Sequence, residues 1–152
     1  MYITLAERIM AIVNKLTLRR EHKSATVELA SLNREMALRM ITLANETGEI
    51  MPLIKAVKAM RSAEEFYSPD TAQIEDARVQ KKLGDVLLNI GKNEDDLSAL
   101  EAAISAYRSA ITISSMLGAH KLRTETRKSY ALALNYAGKG QHDQSVSLMG
   151  AA

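Results

Sequence analysis

The sequence predicts an all-α protein of five to six helices packed in antiparallel pairs. Three observations carry that expectation. The 152 residues include only two prolines, seven glycines and one Phe, while helix formers are plentiful. Apolar residues recur at helical spacing in one segment after another, and no alternating strand pattern appears. Short stretches rich in Gly, Pro, Asn and Asp punctuate those segments at intervals that suit helix starts and stops.

Taken in order, Leu5, Ile9, Ile12 and Leu16 form the stripe of a first amphipathic helix of about four turns. The run LRREHK (Leu18 to Lys23) then reads as a charged linker or a helix end. A second helix is predicted over about Ser24 to Thr47, with Leu29, Leu32, Met36 and Leu43 on its apolar face and Gly48 as its stop. Pro52 suits the first turn of a third helix ending near Phe66 and Tyr67. In SPDT (Ser68 to Thr71), Ser68 is the expected cap and Pro69 the first residue of a fourth helix, which runs to Ile90 and ends at Gly91. Asn93 is the expected cap of the fifth helix, which ends near Leu117 and Gly118. A sixth spans about His120 to Ala137, stopped by Gly138 and Gly140, and the tail GQHDQSVSLMGAA is expected to fray. The chain therefore reads as one domain, 1–152, in five parts. An N-terminal helix and linker (1–23) and a helix pair (24–67) come first. A second pair (68–118), a final helix (119–139) and a flexible tail (140–152) follow.

A repeat underlies these pairs. AVKAMRSA, from Ala56, matches AISAYRSA, from Ala103, in five of eight positions at an offset of 47. The same offset places Leu83 on Tyr130, Gly84 on Ala131, Leu87 on Leu134 and Gly91-Lys92 on Gly138-Lys139. A constant offset across two helices implies a repeated helix pair stacked on its neighbour. Ala56, Ala59 and Ala63 share one helix face, as Ala103, Ala106 and Ala110 do. Small residues let helices approach closely, with Gly84 and Ala131 as the matching small positions on the partner helices. Leu83, Leu87, Ile104, Tyr107 and Ile111 fill the space around them, with Met60 equivalent to Tyr107.

KKLGDVLLNIGK followed by AAISAYRSAITI resembles a tetratricopeptide repeat, with Leu83, Gly84, Gly91, Ala103, Tyr107 and Ala110 in the motif positions. The resemblance is clear over about 77–113 and partial over 36–63 and 124–139. KNEDDLSALEA lengthens the unit from the family's roughly 34 residues. The resemblance implies a short right-handed superhelix in which the first helices of successive pairs line a groove. Helices two, four and six would do so here. On helix four it places Arg78, Lys81, Asp85 and Asn89 in that groove, and on helix six Glu125, Lys128, Leu132 and Asn135. It further implies a scaffold or adaptor that binds a protein or peptide partner, with Lys, Arg and Asn holding carboxylates by charge-assisted hydrogen bonds.

Composition narrows the alternatives. Formal net charge is +2, whereas a nucleic-acid binder ordinarily concentrates a larger basic excess on one face. The absence of cysteine removes disulfides, thiol catalysis and zinc-thiolate sites, and a cytoplasmic location is the expectation. MYITLAERIMAIVNKL is a poor signal peptide because Glu7 and Arg8 interrupt it, and no apolar run reaches a membrane span. His22, His120 and His142 have no metal-ligand spacing. Glu64-Glu65 diverge on a helix, and Glu94-Asp95-Asp96 suit a capping role. Phosphate-loop and nucleophile-elbow motifs are missing, so neither an enzyme nor a cofactor is expected. Two basic clusters remain: Arg8, Lys15, Arg19, Arg20 and Lys23, and then Lys121, Arg123, Arg127 and Lys128. They keep open a nucleic-acid-binding regulator using 8–23 and 121–128. Bare repeat faces keep open a homodimer or larger structural oligomer. The first helix is expected to pack on helix two or three, with a dimer contact as the alternative. Membrane-surface attachment is disfavoured because Glu7 lies among the basic residues and no lipidation motif appears.

Overall fold

The computed structural model describes the backbone of residues 4–64 and 67–149 and the side chains of 4–61 and 67–140. Among these residues there are five helices and no strand: α1 Leu5–Thr47, α2 Met51–Glu64, α3 Ile74–Glu94, α4 Leu97–Met116 and α5 His120–Met149.

The first difference from expectation is α1, which runs unbroken through LRREHK for 43 residues. That stretch holds neither Gly nor Pro, and Leu, Arg, Glu and Lys are all good helix formers, so a run of charge does not break the backbone ladder. The helix starts in a capping box: Thr4 Oγ1 accepts the Glu7 N–H, and the Glu7 carboxylate accepts the Thr4 N–H at 2.8 Å. It stops at Gly48, whose φ of 73° is the left-handed C-cap that glycine adopts at least cost.

Ser68 and Pro69 do not open α3. They form a turn in which the Thr71 and Ala72 N–H groups donate to the Ser68 carbonyl, while Thr71 Oγ1 accepts the Ser68 N–H at 2.9 Å. Ser68 is consumed by Thr71, and Pro69 supplies the φ this turn needs. The helix begins instead after Gln73, whose N–H donates to Asp76 Oδ2 at 3.0 Å. It also runs past Gly91 to Glu94, because Asp95 rather than Gly91 takes the left-handed conformation, with φ 51°. Asp96, not Asn93, caps α4 by accepting the Ala99 N–H at 3.1 Å. Gly138 and Gly140 do not end α5. Both stay helical, each at about 1 kcal/mol relative to Ala, and the backbone expected to fray is helical to Met149.

α3 and α4 form an antiparallel hairpin whose register is set by two glycines. A β-carbon on Gly84 would lie 2.6 Å from the Tyr107 ring, and one on Gly91 would lie 2.7 Å from Leu100. The backbone of α3 thus rests directly on two α4 side chains. Around this contact Leu83, Leu87, Ala103, Ala106, Tyr107 and Ala110 are fully buried. Ala56, Val57, Met60, Leu53, Ala37, Ile41 and Ala44 extend the same core into α2 and the C-terminal half of α1. Ala63 lies outside the described side chains. Ala131, aligned with Gly84, is exposed, because none of the described helices covers that face of α5.

Helices two places apart in sequence also touch. Arg34 on α1 donates to Asp76 on α3 at 2.7 Å, 42 positions away, and Arg61 on α2 donates to Ser105 on α4 at 3.2 Å, 44 positions away. The Arg34–Asp76 pair is buried at its acidic end, which is 0% exposed. Asp76 therefore has two jobs, capping α3 and anchoring α1.

Gly84→Ala should destabilise the fold by about 1–3 kcal/mol despite alanine's better helix propensity, because the buried Tyr107 ring has no room to retreat. Urea unfolding measures this, and pairing it with Tyr107→Leu should recover part of the loss. Arg34→Ala should cost about 3 kcal/mol in the same assay, since it strands the Asp76 carboxylate in the interior.

Candidate functional site

The polar groove residues singled out above stand on α3 and α5, two helices that touch one another. α3 supplies Arg78, Lys81, Asp85 and Asn89 at intervals of three to four, one helical face, and α5 supplies Glu125, Lys128, Leu132 and Asn135 in the same way. All eight lie at the surface, with Lys81 half-buried. From Arg78 to Lys92 this seam is roughly 20 Å long at 1.5 Å per residue.

Its three parts differ in chemistry. At one end a cleft of about 430 Å³ brings Arg78 and Glu125 together with His120, Lys121 and Leu122. Arg78 donates to Glu75 at 2.7 Å and is partly neutralised there. At the middle, Lys81 Nζ donates to Asp85 Oδ2 at 2.7 Å, and the Tyr107 hydroxyl donates to Asp85 Oδ1 at 2.8 Å. Burial pushes this hydroxyl well above the ordinary phenol range, and the hydrogen bond to the Asp85 carboxylate pushes it further in the same direction. Ser129 of α5 stands beside the Tyr107 hydroxyl and acts on it in the opposite, lowering direction. The middle of the seam is therefore a structural tie in which Lys81 and Asp85 satisfy one another.

At the far end, Lys92 of α3 and Lys139 of α5 both approach the Tyr136 ring, 5.9 and 5.8 Å from its centroid. They border a cleft of about 360 Å³ whose floor includes Leu97 and Leu100. Among the described residues neither ammonium has a carboxylate within ion-pair distance. Asn89 accepts from Asn93 and is exposed, as are Lys128 and Asn135 on α5.

Sequence reasoning did not single out Ser129, Lys92, Tyr136 and Lys139 as site residues, and it took Tyr107 for a core filler. Two signals were present. The 47-residue offset superposes Lys92 on Lys139, and Tyr stands at 107 where Met60 fills the equivalent position. A core position that takes a phenol in place of a thioether has a use for the hydroxyl.

Other candidates resolve simply. His22 is exposed on α1, and its backbone carbonyl accepts from Thr26. His120 Nδ1 lies 3.0 Å from the Arg123 guanidinium. His142, Glu64 and Glu65 fall outside the described side chains. Among the described residues no group of three or more His, Asp and Glu side chains is placed to hold a metal ion. Compared with known proteins, the chain matches no family model, no curated protein and no solved structure.

Tyr107→Phe should weaken the fold by about 1–2 kcal/mol at neutral pH, by removing a hydrogen bond to a carboxylate. The raised pKa also fixes a sign. The unfolded chain loses this proton above pH 10 while the folded chain keeps it, so its contribution is full below that pH and falls as pH rises. The alkaline fall in stability should be shallower in Tyr107→Phe than in the parent, as read by urea midpoints across the alkaline range.

Proposed function

We propose that this protein is a scaffold or adaptor that binds an acidic peptide segment of a partner along the α3–α5 seam. The observation that carries this reading is the Lys92–Tyr136–Lys139 cleft. Two ammonium groups from different helices converge there on one aromatic ring; Asp95 also lines the cleft, but among the described residues neither ammonium has a carboxylate within ion-pair distance. Carboxylates gain charge-assisted hydrogen bonds from such groups, and the Leu97 and Leu100 floor accepts an adjoining apolar side chain.

The seam belongs, in this reading, to a short tetratricopeptide-like stack. The close-packed α3–α4 hairpin supports it, as do the recurring contacts at offsets of 42 and 44 between α1 and α3 and between α2 and α4. First helices then lie side by side, and Asn89, Lys128 and Asn135 join the lysine pair on their outward faces.

A fluorescent peptide of alternating Glu and Leu, beside its Gln-for-Glu counterpart, tests the proposal by anisotropy. The Glu peptide should bind at least about tenfold more tightly, and Lys92→Ala with Lys139→Ala should remove that preference. Equal binding of the two peptides, or an unchanged double variant, overturns it. Retention of duplex DNA above the Glu peptide, with steep salt dependence, gives the surface to nucleic acid instead.

A further inference from the structure

Among the described residues, the N-terminal half of α1 is an arm that no other helix covers. Every residue from Thr4 to Ala25 is exposed, whereas from Thr26 onward the same helix is buried through Thr26, Ala30, Ala37, Ile41 and Ala44. The arm's stripe stays apolar although no helix covers it: Leu5 is 75% exposed, Ile9 52%, Ile12 60% and Leu16 60%. Spacings of four, three and four put these four on one face, and Val13 and Met10 widen it along one side. Ile9 and Leu16 fall in the same seven-residue row as Ala30, Ala37 and Ala44. The stripe is thus the bundle-facing side of α1, carried out beyond the bundle.

The charges on the arm decide what covers it. The continuous helix sets their angles at about 100° per residue. Arg8, Lys15 and Arg19 fall along one edge of the stripe, and Arg20 and Lys23 fall on its C-terminal continuation. Glu7 and Glu21 fall on the opposite side, and the Glu7 carboxylate is already held by the Thr4 N–H. One edge of the apolar face is therefore lined by cations, while Met10 on the other edge has Glu7 three residues before it. The expectation set Glu7 and the absence of a lipidation motif against surface attachment; on the helix, Glu7 is engaged in the cap, on the side away from Arg8, Lys15 and Arg19. A second copy of the arm fits this border poorly. Antiparallel pairing sets Arg8 against Lys15, and parallel pairing sets Lys15 against Arg20 and stacks Arg19 and Lys23 in the seam.

A surface that is hydrocarbon beneath and negatively charged at its boundary meets both demands. We propose that the arm, about 30 Å long over residues 5–25, lies flat on an anionic lipid surface. Its aliphatic side chains sit at the acyl boundary, and its arginines and lysines contact the headgroups. No helix among the described residues is long and apolar enough to cross a membrane, and the contact invoked is in the plane of the surface. The α3–α5 seam uses other helices, so the bundle would present its cleft from a lipid-held position.

Flotation of the full chain tests this with vesicles of phosphatidylcholine alone and of phosphatidylcholine mixed with an equal part of phosphatidylserine, at low and high salt. The mixed vesicles should capture the protein at least about tenfold better. Ile12→Asp should abolish capture. Arg19→Glu with Arg20→Glu should weaken it about tenfold or more and remove most of its salt dependence. All three positions are exposed, and unchanged helicity by circular dichroism confirms that the variants fold. Absence of capture, or equal capture by both vesicles, overturns the proposal. So does a parent dimer in light scattering that Ile12→Asp dissociates while neither vesicle binds, which assigns the stripe to a second copy.

Discussion

The packing of the Tyr107 ring on the bare backbone of Gly84 is the contact on which the rest of the bundle depends. It lets α3 and α4 approach more closely than any β-carbon at 84 would permit, and the second close approach, Gly91 on Leu100, follows from the same register. The ring is large and fully buried, so it transmits that spacing outward. Its hydroxyl reaches Asp85 on α3 and Ser129 on α5. One residue therefore couples three helices, by shape on one side and by hydrogen bonding on the other.

This arrangement separates the interior from the candidate site. The buried face of α4 includes Ala99, Ala103, Ala106 and Ala110, and alanine costs no side-chain entropy on burial and permits short interhelical distances. Arg78 and Asp85 of α3 meet Glu125 and Ser129 of α5 along the contact between those two helices. Lys81 and Asp85 neutralise each other at its centre. The unneutralised charge lies instead at the end, where Lys92 and Lys139 meet over Tyr136. That placement of charge is a consequence of register.

α1 obeys a different constraint. Its C-terminal half is held to the bundle by alanines and by the buried Arg34–Asp76 pair, and Asp76 in turn caps α3. Because the helix is continuous, the orientation of the N-terminal arm is fixed by packing that begins some twenty residues away. The arm's apolar stripe and its basic edge are therefore joined to the bundle by unbroken helix. A flexible linker at LRREHK would have left them independent.

The all-helical class was legible from composition and spacing, because helix propensity and amphipathic periodicity are local properties. The close contact around Gly84 was legible too, since a glycine inside a strong helix pattern is costly unless something occupies the missing β-carbon's place. Boundaries were less so. Ser68, Asn93, Gly138 and Gly140 each carry a sound local signal, yet Thr71 engages Ser68, Asp96 takes over the α4 cap and the α5 backbone runs helical through both glycines. The repeat offset pointed to Lys92 and Lys139 as equivalents. That they face the same ring, that Lys81 spends its charge on Asp85, and that Leu5 to Leu16 go uncovered were decided by tertiary structure alone. A helix's sequence specifies which of its faces is apolar, but only its neighbours determine whether that face is filled.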